Sequence, residues 1–306
     1  MQIQWYPGHM YKAGKEIKKS LPGIDLVIEI LDARIPFSSE NPMLKQIRGS
    51  KPCIKILNKS DLADLEITLQ WQQWLDQKQG VKTLSVDKAH PEKIKQIPSL
   101  CHKLVPERKS NTKGIRAMIM GIPNVGKSTL INTLAGRTIA RTGNEPAITK
   151  AQQRIEISNN LVLFDTPGML WPKVENKNSG YRLAVTGAIR DTAIEHSDIA
   201  FFAAEYLLER YSENIQARYK LESPPESELE LLENIGKKRG CLRSGGEVDL
   251  DKISKLFLND IRQGELGRIS YETPEMIKTE MAELTLILEQ KAARDKLRKQ
   301  KFKHKR

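Results

Sequence analysis

The sequence predicts an α/β chain: a doubly wound, mostly parallel sheet followed by an all-α domain. Three observations predict it. Short apolar runs bounded by turn residues alternate with stretches of helical character through the first 211 of the 306 residues. A glycine-rich loop, GIPNVGKST at Gly121 to Thr129, closes one such run and opens one such stretch. After about Ser212 the strand signals cease, and the remainder is helical in character, broken by SPPES at Ser223 to Ser227 and by Gly245-Gly246.

Strands are expected at Leu26 to Leu31, Cys53 to Leu57, Val81 to Val86, Ile115 to Gly121 and Leu161 to Phe164. Arg154 to Ser158 joins the last of these through Asn159-Asn160 and reads as a hairpin. Helices are expected at Asp64 to Gln79, Pro91 to Leu104 and Lys127 to Leu134. Strands separated by helices lie parallel, because each crossover returns the chain to the same end of the sheet. The polar segment Pro106 to Gly114 lacks periodicity and reads as a surface linker. It divides residues 1–211 into halves at 1–105 and 115–211. Residues 212–290 make the helical domain, where Leu250, Ile253, Leu256, Phe257 and Ile261 are spaced as one buried helix face.

Hydrophobic residues are 39% and charged residues 29%, a balance that excludes a disordered chain. Net charge is +12, which points to a polyanionic partner. Between Lys291 and Arg306 stand nine Lys or Arg and one Asp, so two-thirds of that charge lies in a tail suited to RNA phosphates. Cys53, Cys101 and Cys241 are far apart, which fits a reducing compartment and no zinc site. No run approaches the roughly 20 apolar residues of a membrane span, and the N-terminus has no signal core. A cytoplasmic monomer without membrane contact is expected.

Three motifs carry chemistry. In the glycine-rich loop, backbone N–H groups turn inward around phosphate oxygens and the following helix adds its positive end. Asn124, Val125, Gly126 and Thr129 belong to that cradle, Lys127 meets the β- and γ-phosphates, and Ser128 ligates magnesium. DTPG at Asp165 to Gly168 follows an apolar strand, with Asp165 placed to hold magnesium and the Gly168 N–H to meet the γ-phosphate. NKSD at Asn58 to Asp61 follows the strand Cys53 to Leu57. Asp61 can accept from both guanine N1–H and the 2-amino group, a pair that adenine lacks. Lys59 lies along the base, and Asn58 braces the loops. Ser85 is a weaker candidate for guanine. Read alone, NKSD is also a helix cap with Ser60 or Asp61 before LADLE.

Asn58 precedes Gly121 by 63 residues, whereas GTP-binding domains commonly place the phosphate loop first. The first 211 residues are therefore expected to form a circularly permuted P-loop GTPase domain that uses GTP and GDP.

WYPGHM at Trp5 to Met10, LDARIP at Leu31 to Pro36, NKSD, GIPNVGKST, ITK at Ile148 to Lys150 and DTPGM at Asp165 to Met169 together resemble the YlqF/RbgA family of ribosome biogenesis GTPases. The stretch CLRSGGEVDLDKI, with FLNDIRQGELGRIS, is similar to that family's helical end. The resemblance implies a factor that binds a precursor of the large ribosomal subunit, contacting rRNA and ribosomal proteins in a nucleotide-dependent way. It also implies that Thr149 is a switch threonine on magnesium and that Asn124 is associated with a potassium ion. Met169 stands where many small GTPases carry a water-orienting glutamine, and a thioether cannot polarise water. The resemblance offers His9 for that role; a docking or RNA-stacking histidine is the other reading. Asp32 and Arg34 read as a structural salt bridge. Two alternatives stand beside this function: an RNA-binding placeholder with structural nucleotide, and a GTPase acting on tRNA or translation.

Overall fold

The computed structural model describes residues 5–108, 114–140, 152–158 and 160–303. Its strands are β1 (Leu26–Asp32), β2 (Cys53–Asn58), β3 (Val81–Ser85), β4 (Ile115–Gly121), β5 (Gln153–Ser158) and β6 (Leu161–Asp165). The first half of the chain carries helices α1 (Gly8–Ser20), α2 (Pro36–Ser39), α3 (Pro42–Arg48), α4 (Leu65–Asp76), α5 (Pro91–Ile94) and α6 (Ile97–Leu104). The second half carries α7 (Lys127–Ala135), α8 (Lys177–Val185), α9 (His196–Arg210), α10 (Ser212–Tyr219), α11 (Glu228–Lys238), α12 (Leu250–Gln263) and α13 (Pro274–Lys303).

The six strands form one sheet in the order β3-β2-β1-β4-β6-β5, parallel except for β5. Every residue of β1 is buried, which places it at the centre. There it joins the two halves, with Ile30 beside Ile56 of β2 on one side and Gly121 of β4 on the other. The chain thus leaves β1 toward one sheet edge and returns beside it at β4. Loops at the carboxyl ends of parallel strands on either side of such a switch point enclose a crevice.

One local expectation is corrected, and one helix was not foreseen. The helix expected from Pro91 to Leu104 is two helices, because Pro98 occupies the first turn of α6, where its missing N–H costs nothing, and cannot sit inside a longer helix. The N-terminus is helical from Gly8 to Ser20, although its buried face holds only Met10, Ala13, Gly14 and Ile17.

Helices α9 to α12 do not stand apart. Leu207, Ile215, Leu231, Ile235, Ile253 and Phe257 belong to the same apolar core as the sheet. The chain then returns to the base-reading half: Tyr271 N–H donates to the Arg34 carbonyl at 2.9 Å, and the Trp71 indole donates to the Glu272 carbonyl at 3.0 Å. Arg182 of α8 holds Glu280 bidentately at 2.9 and 2.6 Å, while Ser38 of α2 donates to the fully buried Glu272. One polar knot therefore ties three stretches of chain. No helix among the described residues is long and apolar enough to cross a membrane.

Candidate functional site

The loops after β1, β2, β3, β4 and β6 open onto one cavity of about 1260 Å³. Its wall brings together Asn58, Lys59 and Asp61 from the first half with Asn124, Gly126, Lys127, Ser128, Thr129 and Gly168 from the second. Val125 lies beneath, buried, and its carbonyl accepts from Asn58 Nδ2 at 2.7 Å. This bond couples the base-reading loop directly to the phosphate loop.

At the base-reading end Asp32, Arg34 and Lys59 each meet an opposite charge, although Arg34 Nη1 has no hydrogen-bond partner among the described residues. Lys59 takes a left-handed conformation, φ +61°, at the end of β2, a costly geometry for a residue with a Cβ. Its ammonium donates to Asp32 Oδ2 at 2.9 Å. Arg34 completes the cluster, donating Nε to Asp32 Oδ1 at 2.9 Å and Nη2 to Oδ2 at 2.8 Å. Burial alone would push the Asp32 carboxyl up, but Arg34 and Lys59 hold it well below the usual carboxylate range. The Asp32–Arg34 pair is the structural salt bridge expected, and it also anchors Lys59. The cap of α4 is neither Ser60 nor Asp61 but Asp64, which accepts from the Ile67 N–H at 3.1 Å. Asp61 is left exposed on the cavity wall, and Ser60 donates to Asp87 at 3.2 Å.

At the phosphate end the pairing is incomplete. Gly126, φ +97°, stands at the N-cap of α7 and offers no side-chain cap, so the first N–H groups of the helix face the loop. Lys127 is buried and, among the described residues, donates only to the carbonyls of Ile122 and Gly121, at 3.2 and 3.4 Å. Burial draws its ammonium down to about 8, with Asp165 partly opposing. Burial likewise pushes the Asp165 carboxyl up to about 6, with Lys127 opposing, and Asp165 Oδ1 has no hydrogen-bond partner among the described residues. A buried, orphaned carboxylate oxygen and the Ser128 hydroxyl on the wall form an oxygen donor set that fits magnesium. Gly168 fits only as glycine: a Cβ there would lie 2.9 Å from Pro123 Cα and 3.1 Å from Lys127 Nζ.

Other expected residues fall elsewhere. Ser85 ends β3 but is not on the wall, which carries Asp87 and Lys88 instead. His9 is exposed on the first turn of α1 and is not on the wall. Thr149 lies outside the described residues. Met169 is fully buried, with the S–CH3 end of its side chain against Gly14, and so belongs to the core.

One wall was not foreseen. Asn259, Arg262 and Gln263 of α12 line the same cavity as the phosphate loop. Arg262 donates to the carbonyls of Val185 and Ala184 at 3.0 and 2.9 Å and to Asp191 at 3.0 Å. The carbonyl of nearby Gly187 accepts from Asn124 Nδ2 at 2.9 Å. The only sequence signal was the polar flank of the α12 periodicity, which reads equally as a solvated face.

A parallel sheet whose phosphate loop lies on β4 and whose base reader lies on β2 defines a circularly permuted P-loop GTPase. The sequence matches the family described as a 50S ribosome-binding GTPase over residues 116–233. It is 47% identical over 282 residues to ribosome biogenesis GTPase A of Bacillus licheniformis, covering 90% of this chain and 99% of that one. Mitochondrial ribosome-associated GTPase 1 of Mus musculus is 34% identical over 290 residues, covering 87% and 89%. Among solved structures, GNP-bound YlqF from T. maritima superposes with a TM-score of 0.62 at 30% identity, covering 87% of this chain and 99% of that one. The chain belongs to the ribosome biogenesis GTPase A family: it binds guanine nucleotide and hydrolyses GTP.

Proposed function

We propose that this GTPase assembles the large ribosomal subunit, binding precursor particles through rRNA and ribosomal proteins in a nucleotide-dependent way. The observation that carries it is the cavity wall shared between the phosphate loop and α12. Through that wall a change in nucleotide can alter the helical part of the chain. Residues 1–211 would be the GTPase domain, 212–290 the RNA-binding domain and 291–306 an auxiliary basic tail, working as a monomer in the cytoplasm.

Asp61 reads the guanine edge, Lys59 covers the base, and Asn58 keeps the two loops in register. The N–H groups at the start of α7 and of Gly168 hold the phosphates, and Lys127 neutralises charge developing on the γ-phosphate as water attacks. Ser128, Asp165 and Thr149 would hold magnesium, which supplies further neutralisation of the phosphate oxygens when bound. Asn124 would give one oxygen to a potassium ion. Because Met169 is buried, the water needs another orienting group. His9 fills that role once a docked particle carries the start of α1 toward the cavity.

The test is GTP turnover with and without precursor and mature large subunits, in potassium and in sodium. Stimulation of at least tenfold by subunits is expected, larger in potassium. Turnover indifferent to every subunit would overturn the assembly role, and equal turnover in both salts would remove the potassium ion.

A further inference from the structure

We infer that the outer face of α1 is a docking surface for the phosphate backbone of structured RNA, and that the bound nucleotide sets its position. The inference rests on the rRNA-binding reading above and adds where that RNA is held.

At 100° per residue, Tyr11, Lys12, Lys15, Lys18 and Lys19 fall within an arc of about 120° on α1. All five are exposed, and Glu16 is the single acid among the helix's exposed residues. Tyr11 is 56% exposed, and the Lys15 ammonium sits 4.6 Å from its ring centre, so an aromatic face and cations are presented together. Arg116 extends the row beyond the end of the helix: it is exposed, stacks on Phe164 at 5.2 Å, and would lie 3.2 Å from a Cβ at Gly23. A ridge of cations beside a stacking ring matches RNA phosphates and an unstacked base better than it matches an acidic protein surface.

The opposite face of α1 meets two other stretches of the chain, one of them just past Gly168 of the cavity wall. Near its start, Met10 Sδ lies 3.4 Å from the Leu170 N–H, two residues past Gly168. Gly14 leaves room for Met169, whose Sδ would be 3.5 Å from a Cβ there. At its end, Ser20 donates to Gln152 at 2.8 Å, three residues past Thr149. A shift of either segment must move α1 as a body, because a packed helix does not stretch.

The test uses the full chain carrying Lys12→Gln, Lys15→Gln, Lys18→Gln and Lys19→Gln together. Affinity is measured for protein-free large-subunit rRNA and for whole large subunits, with a non-hydrolysable GTP analogue or GDP, across salt. The expected result is at least tenfold weaker rRNA binding and a salt dependence shallower by about three phosphate contacts. Unstimulated hydrolysis and nucleotide affinity should match the unmodified protein, which also reports that the variant folds. The unmodified protein should distinguish the two nucleotides in its rRNA affinity, and the variant should not.

Unchanged rRNA binding by the variant overturns the α1 surface while leaving the rRNA reading intact. Weakening only on whole subunits makes the partner a ribosomal protein and overturns it too. Equal affinity of the unmodified protein in both nucleotide states removes the coupling. Absence of any rRNA binding by the unmodified protein instead defeats the underlying reading, and this inference with it.

Discussion

The two ends of the nucleotide cavity are built on opposite electrostatic plans. At the base end, Arg34 and Lys59 share the Asp32 carboxylate through hydrogen bonds of 2.8 to 2.9 Å. Each of the three charged groups there has an opposite charge in contact, although the cluster keeps one net positive charge. At the phosphate end, among the described residues, Lys127 donates only to carbonyls and Asp165 keeps an oxygen without a hydrogen-bond partner. The base reader is thus shaped before the ligand arrives. The phosphate side holds two desolvated charges of opposite sign that compensate each other only in part, with no side-chain hydrogen bond between them among the described residues. Specificity for guanine needs a rigid partner, whereas a site that senses the γ-phosphate gains from having its charges satisfied only when that phosphate is present.

Three substitutions test this contrast. Asp32→Asn has the largest expected effect, a loss of about 3–5 kcal/mol, because it strands the buried Arg34 guanidinium and weakens the hold on Lys59. Urea unfolding measures it, and guanine-nucleotide affinity should fall in parallel. The Asp32 carboxyl is held low in the folded chain, so its contribution is present above the ordinary 3.8 and disappears as pH falls through the folded value. A loss under 1 kcal/mol would mean that the base end is no better paired than the phosphate end.

Gly126→Ala comes next, at about 1–3 kcal/mol, from a Cβ at φ +97° that also overlaps Asn58 Nδ2. Displacing Asn58 breaks its bond to Val125, so a fluorescent GDP analogue should dissociate faster even where the protein stays folded. Unchanged dissociation would show that the two ends work independently.

Asp165→Asn has the smallest effect and the opposite sign. A carboxyl raised to about 6 keeps its proton more tightly in the folded chain, so ligand-free stability falls as pH rises from 3.8 to about 6. The amide removes that penalty, and ligand-free thermal stability at pH 7 should rise by about 1–2 kcal/mol. The gain should vanish below about pH 4, while GTP turnover falls at least a hundredfold. Destabilisation at pH 7 would sink the idea that the phosphate end is strained when empty.

Much of this site was legible in the sequence because its parts are local. A phosphate loop is defined by neighbours in the chain: Gly126, Lys127 and Ser128 stand on one strand-to-helix turn, and no distant contact is needed to recognise it. The same holds for NKSD after β2 and DTPG after β6, and their reversed order revealed the permutation. Ser85 ends β3 while Asp87 and Lys88 line the cavity, since where a strand ends and which following side chain turns inward depend on neighbouring loops. His90, by contrast, fixes Asp87 through a 2.8 Å contact that no motif announces.

The sequence by itself determined the sheet, the reversed motif order and which loops carry the motifs that meet at the cavity, because each follows from residues within a few positions of one another. Tertiary structure alone decided that Met169 is buried under α1 and that α12 supplies a wall of the cavity. It also decided that Asp64, not Ser60 or Asp61, caps α4. These depend on which of several polar or apolar faces meets a partner more than 70 residues away, or on competition among adjacent caps. Periodicity shows that a face exists; only packing chooses what it touches.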